Sequence, residues 1–99
     1  MAEVEPRQKE PLFSMGEIVA TSGALAALEH ANFHPGKLLT RHVTGDWGEL
    51  DEEDQKENEL SLEKGFRILS AYNLPTGERI WVITEADRSS TCILLPDEY

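Results

Sequence analysis

The chain has one cysteine, Cys92, in 99 residues, so it forms no intrachain disulfide. Cys92 sits in the apolar run Thr91-Cys92-Ile93-Leu94-Leu95 with no activating base beside it, and reads as a small buried hydrophobe. A chain without a disulfide framework suits a reducing compartment, and a cytoplasmic location is expected. Cations are scarce as well: 9 Lys and Arg stand against 19 Asp and Glu, a formal net charge of −10. No basic cluster is present, so direct binding to a nucleic-acid backbone is not expected. Basic partners are favoured instead, and an acidic face can imitate nucleic acid toward a protein that handles it. No apolar run is long enough to cross a membrane. Met1 to Pro11 is polar and charged, lacks the apolar segment of a secretory leader, and reads as a disordered arm preceding one domain over residues 12–99.

Several motifs are missing. There is no Gly-Lys-Ser/Thr phosphate loop and no Gly-x-Ser-x-Gly elbow. There is no pair of cysteines and no His-Glu-x-x-His pattern. Asp51-Glu52-Glu53-Asp54 lacks the alternating oxygen ligands and central glycine of a calcium loop. Neither a metal nor a cofactor is expected.

What is there is a helical half followed by a strand-like half. Ile18-Val19-Ala20 reads as a short edge strand. Thr21 or Ser22 can cap a helix through Ala24, Leu25, Ala27 and Leu28, stopping near Asn32. Pro35 suits the first position of a second helix whose apolar side is Leu38, Leu39, His42 and Val43, ending at Gly45. Asp51 opens a third, mostly solvated helix to about Lys64, ended by Gly65. Period-two alternation then takes over, with Leu74-Pro75-Thr76-Gly77 as the turn of a hairpin and Thr91 to Leu95 as a covered strand. The expected fold class is α+β, with N-terminal helices on one face of a small C-terminal antiparallel meander.

Two stretches concentrate polar chemistry: Arg41 to Gly48, leading into the acidic run Glu49 to Glu63, and Glu85 to Thr91. Trp47 sits between a helix stop and Gly48, either as a buried anchor at the helix junction or as an exposed anchor for a partner. The candidate binding residues are Trp47, Glu49, Asp51, Glu52, Glu53, Asp54 and Arg88; no catalytic residue is assigned. The competing enzyme reading is a metal-independent ribonuclease, with His42 or His34 as base and Arg41, Arg79 or Arg88 on the phosphate. Its layout resembles the small barnase-like or RelE-like toxins in topology.

The segments Arg41-His42-Val43-Thr44-Gly45-Asp46-Trp47-Gly48 and Ile83 to Pro96 resemble a family of small bacterial proteins carried on plasmids and integrated elements. The likeness runs from about Gly16 to Tyr99. Members are described as plasmid-related or labelled restriction-modification subunits. The resemblance implies a mobile-element setting and brings no catalytic residues with it. A methyltransferase is excluded by the short chain and the absence of an Asn/Asp-Pro-Pro-aromatic motif. The function expected is that of a non-enzymatic acidic accessory protein that binds another protein, in its specific form a basic nucleic-acid-handling protein as regulator or inhibitor; a structural homodimer is the third reading.

Overall fold

The computed structural model describes residues 10–99. The arm expected over residues 1–11 therefore falls, for residues 1–9, outside the described residues. Leu12 is already tied down, its N–H donating to the Val43 carbonyl at 2.8 Å.

The first strand, β1 (Glu17–Ala20), runs straight into α1 (Ser22–His30). Thr21 makes that switch: its backbone is extended and its Oγ1 accepts the Ala24 N–H at 3.0 Å. Thr21 in turn donates to Glu98 at 2.5 Å, which holds the Glu98 carboxyl below its ordinary range and ties the C-terminus to the head of α1. Asn32, in the left-handed region at φ 54°, turns the chain out of α1. In α2 (Pro35–Val43), Pro35 opens the helix and the His34 imidazole accepts the Gly36 N–H. In α3 (Glu52–Lys64), Asp51 caps the start by accepting the Asp54 N–H, and Gly65 at φ 80° ends it.

Three strands follow: β2 (Ile68–Asn73), β3 (Arg79–Thr84) and β4 (Ser90–Leu94). They form the expected antiparallel hairpins, with Tyr72 opposite Ile80 and Val82 opposite Ile93. The sheet, however, is mixed. Its order is β1-β4-β3-β2, and β1 lies parallel to β4 with Val19 opposite Cys92. The edge strand expected at Ile18-Val19-Ala20 is present as β1, but the expected purely antiparallel meander behind the helices is corrected: β1 joins the sheet in parallel, beside β4, so the three helices lie within the crossover between strands of one sheet. Because β1 takes one side of β4 and β3 the other, β4 is an interior strand, hydrogen-bonded along both edges.

Alternation turns Tyr72, Ile80, Val82 and Ile93 to the face covered by Ala24, Ala27 and Leu28 of α1 and Leu38 of α2. Burial of each large aliphatic there stabilises by roughly 1.5–3 kcal/mol. On the opposite face Trp81 is half-buried, its ring meeting Tyr99 edge-on at 5.7 Å.

α3 docks differently. Its two buried residues are polar, Asn58 and Ser61. Asn58 grips the outer edge of β2: its Nδ2 donates to the Leu69 carbonyl at 2.6 Å and its Oδ1 accepts the Leu69 N–H at 3.1 Å. Two residues further along, the Ala71 N–H donates to the Trp47 carbonyl and the Ala71 carbonyl accepts from the Glu49 N–H. Segment 47–49 is thus a one-bridge extension of the sheet, parallel to β2. The edge that β2 would present is closed by two unrelated devices. Asn58→Ala is expected to cost about 2 kcal/mol, since it strips both partners from Leu69. Hydrogen exchange should show faster exchange at the Leu69 amide and along α3; unchanged protection would mean that α3 is held by something other than Asn58.

Candidate functional site

The corner Arg41 to Gly48 is a wired structure. The Arg41 guanidinium binds the Asp46 carboxylate through Nε at 2.7 Å and Nη2 at 3.2 Å and lies 4.6 Å above the Tyr72 ring. The Tyr72 hydroxyl donates to the Asp46 carbonyl at 2.6 Å, and burial pushes its pKa up to about 12. The Arg41–Asp46 pair is nearly half exposed, so it contributes at most about 1 kcal/mol and serves to shape the turn.

Trp47 is only 4 % exposed. Its indole N–H donates to Glu59 of α3 at 3.1 Å and its ring meets His42 edge-on at 6.1 Å. Of its two expected roles, the structure shows the anchor beneath the helix junction; the ring is not offered to a partner.

His42 is fully buried, on the apolar side of α2 where the sequence puts it. It belongs to a chain of hydrogen bonds whose proton order can be derived. Thr91 Oγ1 donates to the Met15 carbonyl at 2.8 Å, so it must accept from Thr84 at 2.7 Å. Thr84 therefore accepts from His42 Nε2 at 2.9 Å, and His42 Nδ1 accepts the Ser70 hydroxyl at 2.6 Å. The imidazole is neutral with its proton on Nε2. Burial alone drives its pKa down to about 4. His42 and Thr91, from the two polar stretches, are joined through Thr84, inside the protein rather than in a cleft.

Arg88 is committed to main-chain carbonyls. Its Nη1 lies 2.7 Å from the Phe66 oxygen, 3.0 Å from Ala86 and 3.1 Å from Glu85, and its Nη2 lies 3.0 Å from Ser61. It holds the C-terminal end of α3, where a cation suits the exposed carbonyls, against the β3–β4 turn. The groups offered for ribonuclease chemistry are likewise engaged elsewhere: Arg41 with Asp46, Arg79 with Asn73, His34 at the head of α2. Among the described residues no group of three or more His, Cys, Asp or Glu is placed to hold a metal ion.

The acidic residues are different. Glu49, Asp51, Glu52, Glu53 and Asp54 are all exposed. Glu53 and Asp54 line a groove of about 500 Å³ between α3 and the start of β2. Glu57 completes its acidic wall, while Leu50, Phe66 and Leu69 give it apolar surface. Phe66 is 55 % exposed, unusual for a phenylalanine that caps no core. Arg67 also lines the groove and pairs with Glu85 at 3.3 Å. Glu53, Asp54 and Glu57 have no ion-pair partner among the described residues. Glu49, Asp51 and Glu52 stand outside the groove. Leu50 and Glu57 lie inside the acidic run Glu49 to Glu63 that the sequence offers as a surface, whereas Phe66 and Leu69 read there only as strand residues, because what joins them to the run is the docking of α3 against β2. The alternation read from Phe66 onward counts that residue into the strand, but β2 begins at Ile68 and leaves Phe66 outside it.

Among the described residues no helix is long and apolar enough to cross a membrane. No family model, no curated protein and no solved structure matches this chain.

Proposed function

We propose that the chain is an acidic accessory protein that binds another protein, and that its working surface is the α3–β2 groove. The observation that carries this reading is the combination of an acidic wall (Glu53, Asp54 and Glu57), without an ion pair among the described residues, with apolar surface that is exposed at Phe66 and half-buried at Leu69 and Leu50. Charge alone would be a solvated helix face; apolar surface alone would be incomplete packing. Together they suit an extended segment that carries lysine or arginine beside aliphatic side chains. A basic protein that handles nucleic acid offers such segments, and a regulator or inhibitor acting on one in the cytoplasm, in a mobile-element setting, is the specific form of the proposal.

The test uses a labelled synthetic peptide of alternating lysine and leucine, followed by fluorescence anisotropy. Binding should weaken as salt rises, because the charges are exposed. The triple variant Glu53→Gln, Asp54→Gln, Glu57→Gln should bind at least about tenfold more weakly, a loss of about 1.4 kcal/mol or more. Phe66→Ser should weaken binding without changing its salt dependence. The same charge change made outside the groove, at Glu49 and Glu52, should have a much smaller effect. Equal losses from both sets of charges would reduce the interaction to bulk attraction and sink the groove.

A further inference from the structure

The two edges of the sheet are treated in opposite ways. At β2, Asn58 and the 47–49 bridge occupy the outward backbone groups. At β1 nothing does. The Glu17 N–H donates to the Ser89 carbonyl and the Thr21 N–H to the Ile93 carbonyl, both at 3.0 Å. Residues 17, 19 and 21 therefore face β4, and Ile18 and Ala20 turn their N–H and C=O groups outward. Among the described residues no backbone group meets them there. The side chains are equally bare: Ile18 and Val19 are each 42 % exposed, one on either face of the sheet. Proteins blunt such edges with lysine, proline, a bulge or a cover. This strand, Glu-Ile-Val-Ala, has only its short length and Glu17.

From this edge we infer that the chain forms a two-fold dimer, with β1 antiparallel to β1 of a second copy and the axis passing beside Val19. Only this register pairs both outward-facing residues. Ile18 opposes Ala20 of the second copy and Ala20 opposes its Ile18, each pair exchanging two backbone hydrogen bonds. Val19 then faces its own counterpart in the closer, non-hydrogen-bonded pair. Glu17 falls opposite Thr21, so the register sets no carboxylate against another. Centring the axis on Ile18 instead would leave Ala20 opposite Gly16, outside the strand. A second copy also brings a strand of the same length, so pairing ends on both sides where β1 does. A longer foreign strand would run past it into Gly16 or the head of α1. The dimer is a continuous eight-stranded sheet with β2 at each outer end. Both acidic grooves stay open, and the dimer presents them as a bivalent pair. This inference stands on the β1 edge alone and does not depend on what the groove binds.

The interface is small, and each chain carries a net charge of −10, so association is weak and opposed by long-range repulsion. Salt should therefore strengthen it, the opposite sign from the groove. Sedimentation equilibrium of the full chain should show mass rising toward twice the monomer with concentration, at lower concentrations in high salt. Val19→Lys, an exposed substitution that sets two cations face to face, should stay monomeric with an unchanged circular-dichroism spectrum. As a second line, Val19→Cys with Cys92→Ser should oxidise readily to a disulfide-linked dimer, because its paired Cα atoms lie about 4.5 Å apart. Ile18→Cys in the same background should not, since its counterpart lies about 8 Å away, beyond disulfide reach. A wild-type chain that stays monomeric at about 1 mM overturns the dimer. So does a Val19→Lys chain that associates as the wild type does, or equal cross-linking at positions 18 and 19.

Discussion

Gly48→Ala is expected to destabilise the protein by about 3–5 kcal/mol, enough to leave a domain of this size partly unfolded at room temperature. Gly48 lies at φ 78°, a conformation in which a side chain costs about 1–2 kcal/mol. Many glycines share that cost. What Gly48 adds to that cost is its neighbour: an added Cβ would fall on the Ala71 carbonyl oxygen and against the Tyr72 ring, far inside van der Waals contact. Neither can retreat, because Ala71 is hydrogen-bonded to Trp47 and Glu49, and Tyr72 is fully buried and bonded to the Asp46 carbonyl. Segment 47–49 must lift off β2, losing two backbone hydrogen bonds at about 1 kcal/mol each and unseating Trp47. Gly65 is the matched control. It has a similar φ of 80°, but an added Cβ meets nothing within 4 Å. Gly65→Ala should cost only the conformational term, about 1 kcal/mol. Urea unfolding of the two variants separates close approach from backbone strain. Similar losses would mean that the 47–49 bridge is dispensable.

That comparison shows where sequence reading succeeds and where it stops. The ends of helices are local: Thr21, Pro35, Asp51 and Gly65 act on groups within four residues, and each does what its type and place imply. The β2–β3 hairpin is local too, set by the Leu74 to Gly77 turn, where the Gly77 N–H reaches the Leu74 carbonyl at 2.8 Å. The pairing of β1 with β4 is not local. It joins residues 73 positions apart, such as Val19 and Cys92, and no pattern within either strand names the other. Arg88 illustrates a different limit. Its charge made it a candidate for binding, but its guanidinium lies against the carbonyls of Ser61 and Phe66, which only the docking of α3 brings near. The groove has the same origin: its acidic wall could be read from α3, but its apolar surface could not.

His42→Leu should destabilise the protein by about 2–4 kcal/mol near neutral pH, and most of that difference should vanish as the pH falls toward 4. The first part follows from the proton order. Leucine fills the space between Phe13 and Trp47, but it leaves the buried Ser70 hydroxyl without its acceptor and removes the donor to Thr84. The second part follows from linkage. Burial lowers the imidazole pKa from 6.5 to about 4, so the neutral form is the one that fits the fold. Between those values the unfolded chain takes up a proton that the native chain refuses. Stability is therefore fully present above the unfolded pKa and is lost as pH falls through the window, by up to about 3 kcal/mol. Protonation would put a hydrogen on Nδ1, where the Ser70 hydroxyl already donates. His42→Leu has no such proton to refuse. The carboxylates titrate over an overlapping range, but both proteins carry them equally, so they cancel in the difference. Urea midpoints of the two proteins across this window should converge from the alkaline side. A constant gap would mean that His42 keeps an ordinary pKa in the folded state, and that the chain from Ser70 to the Met15 carbonyl is open to water.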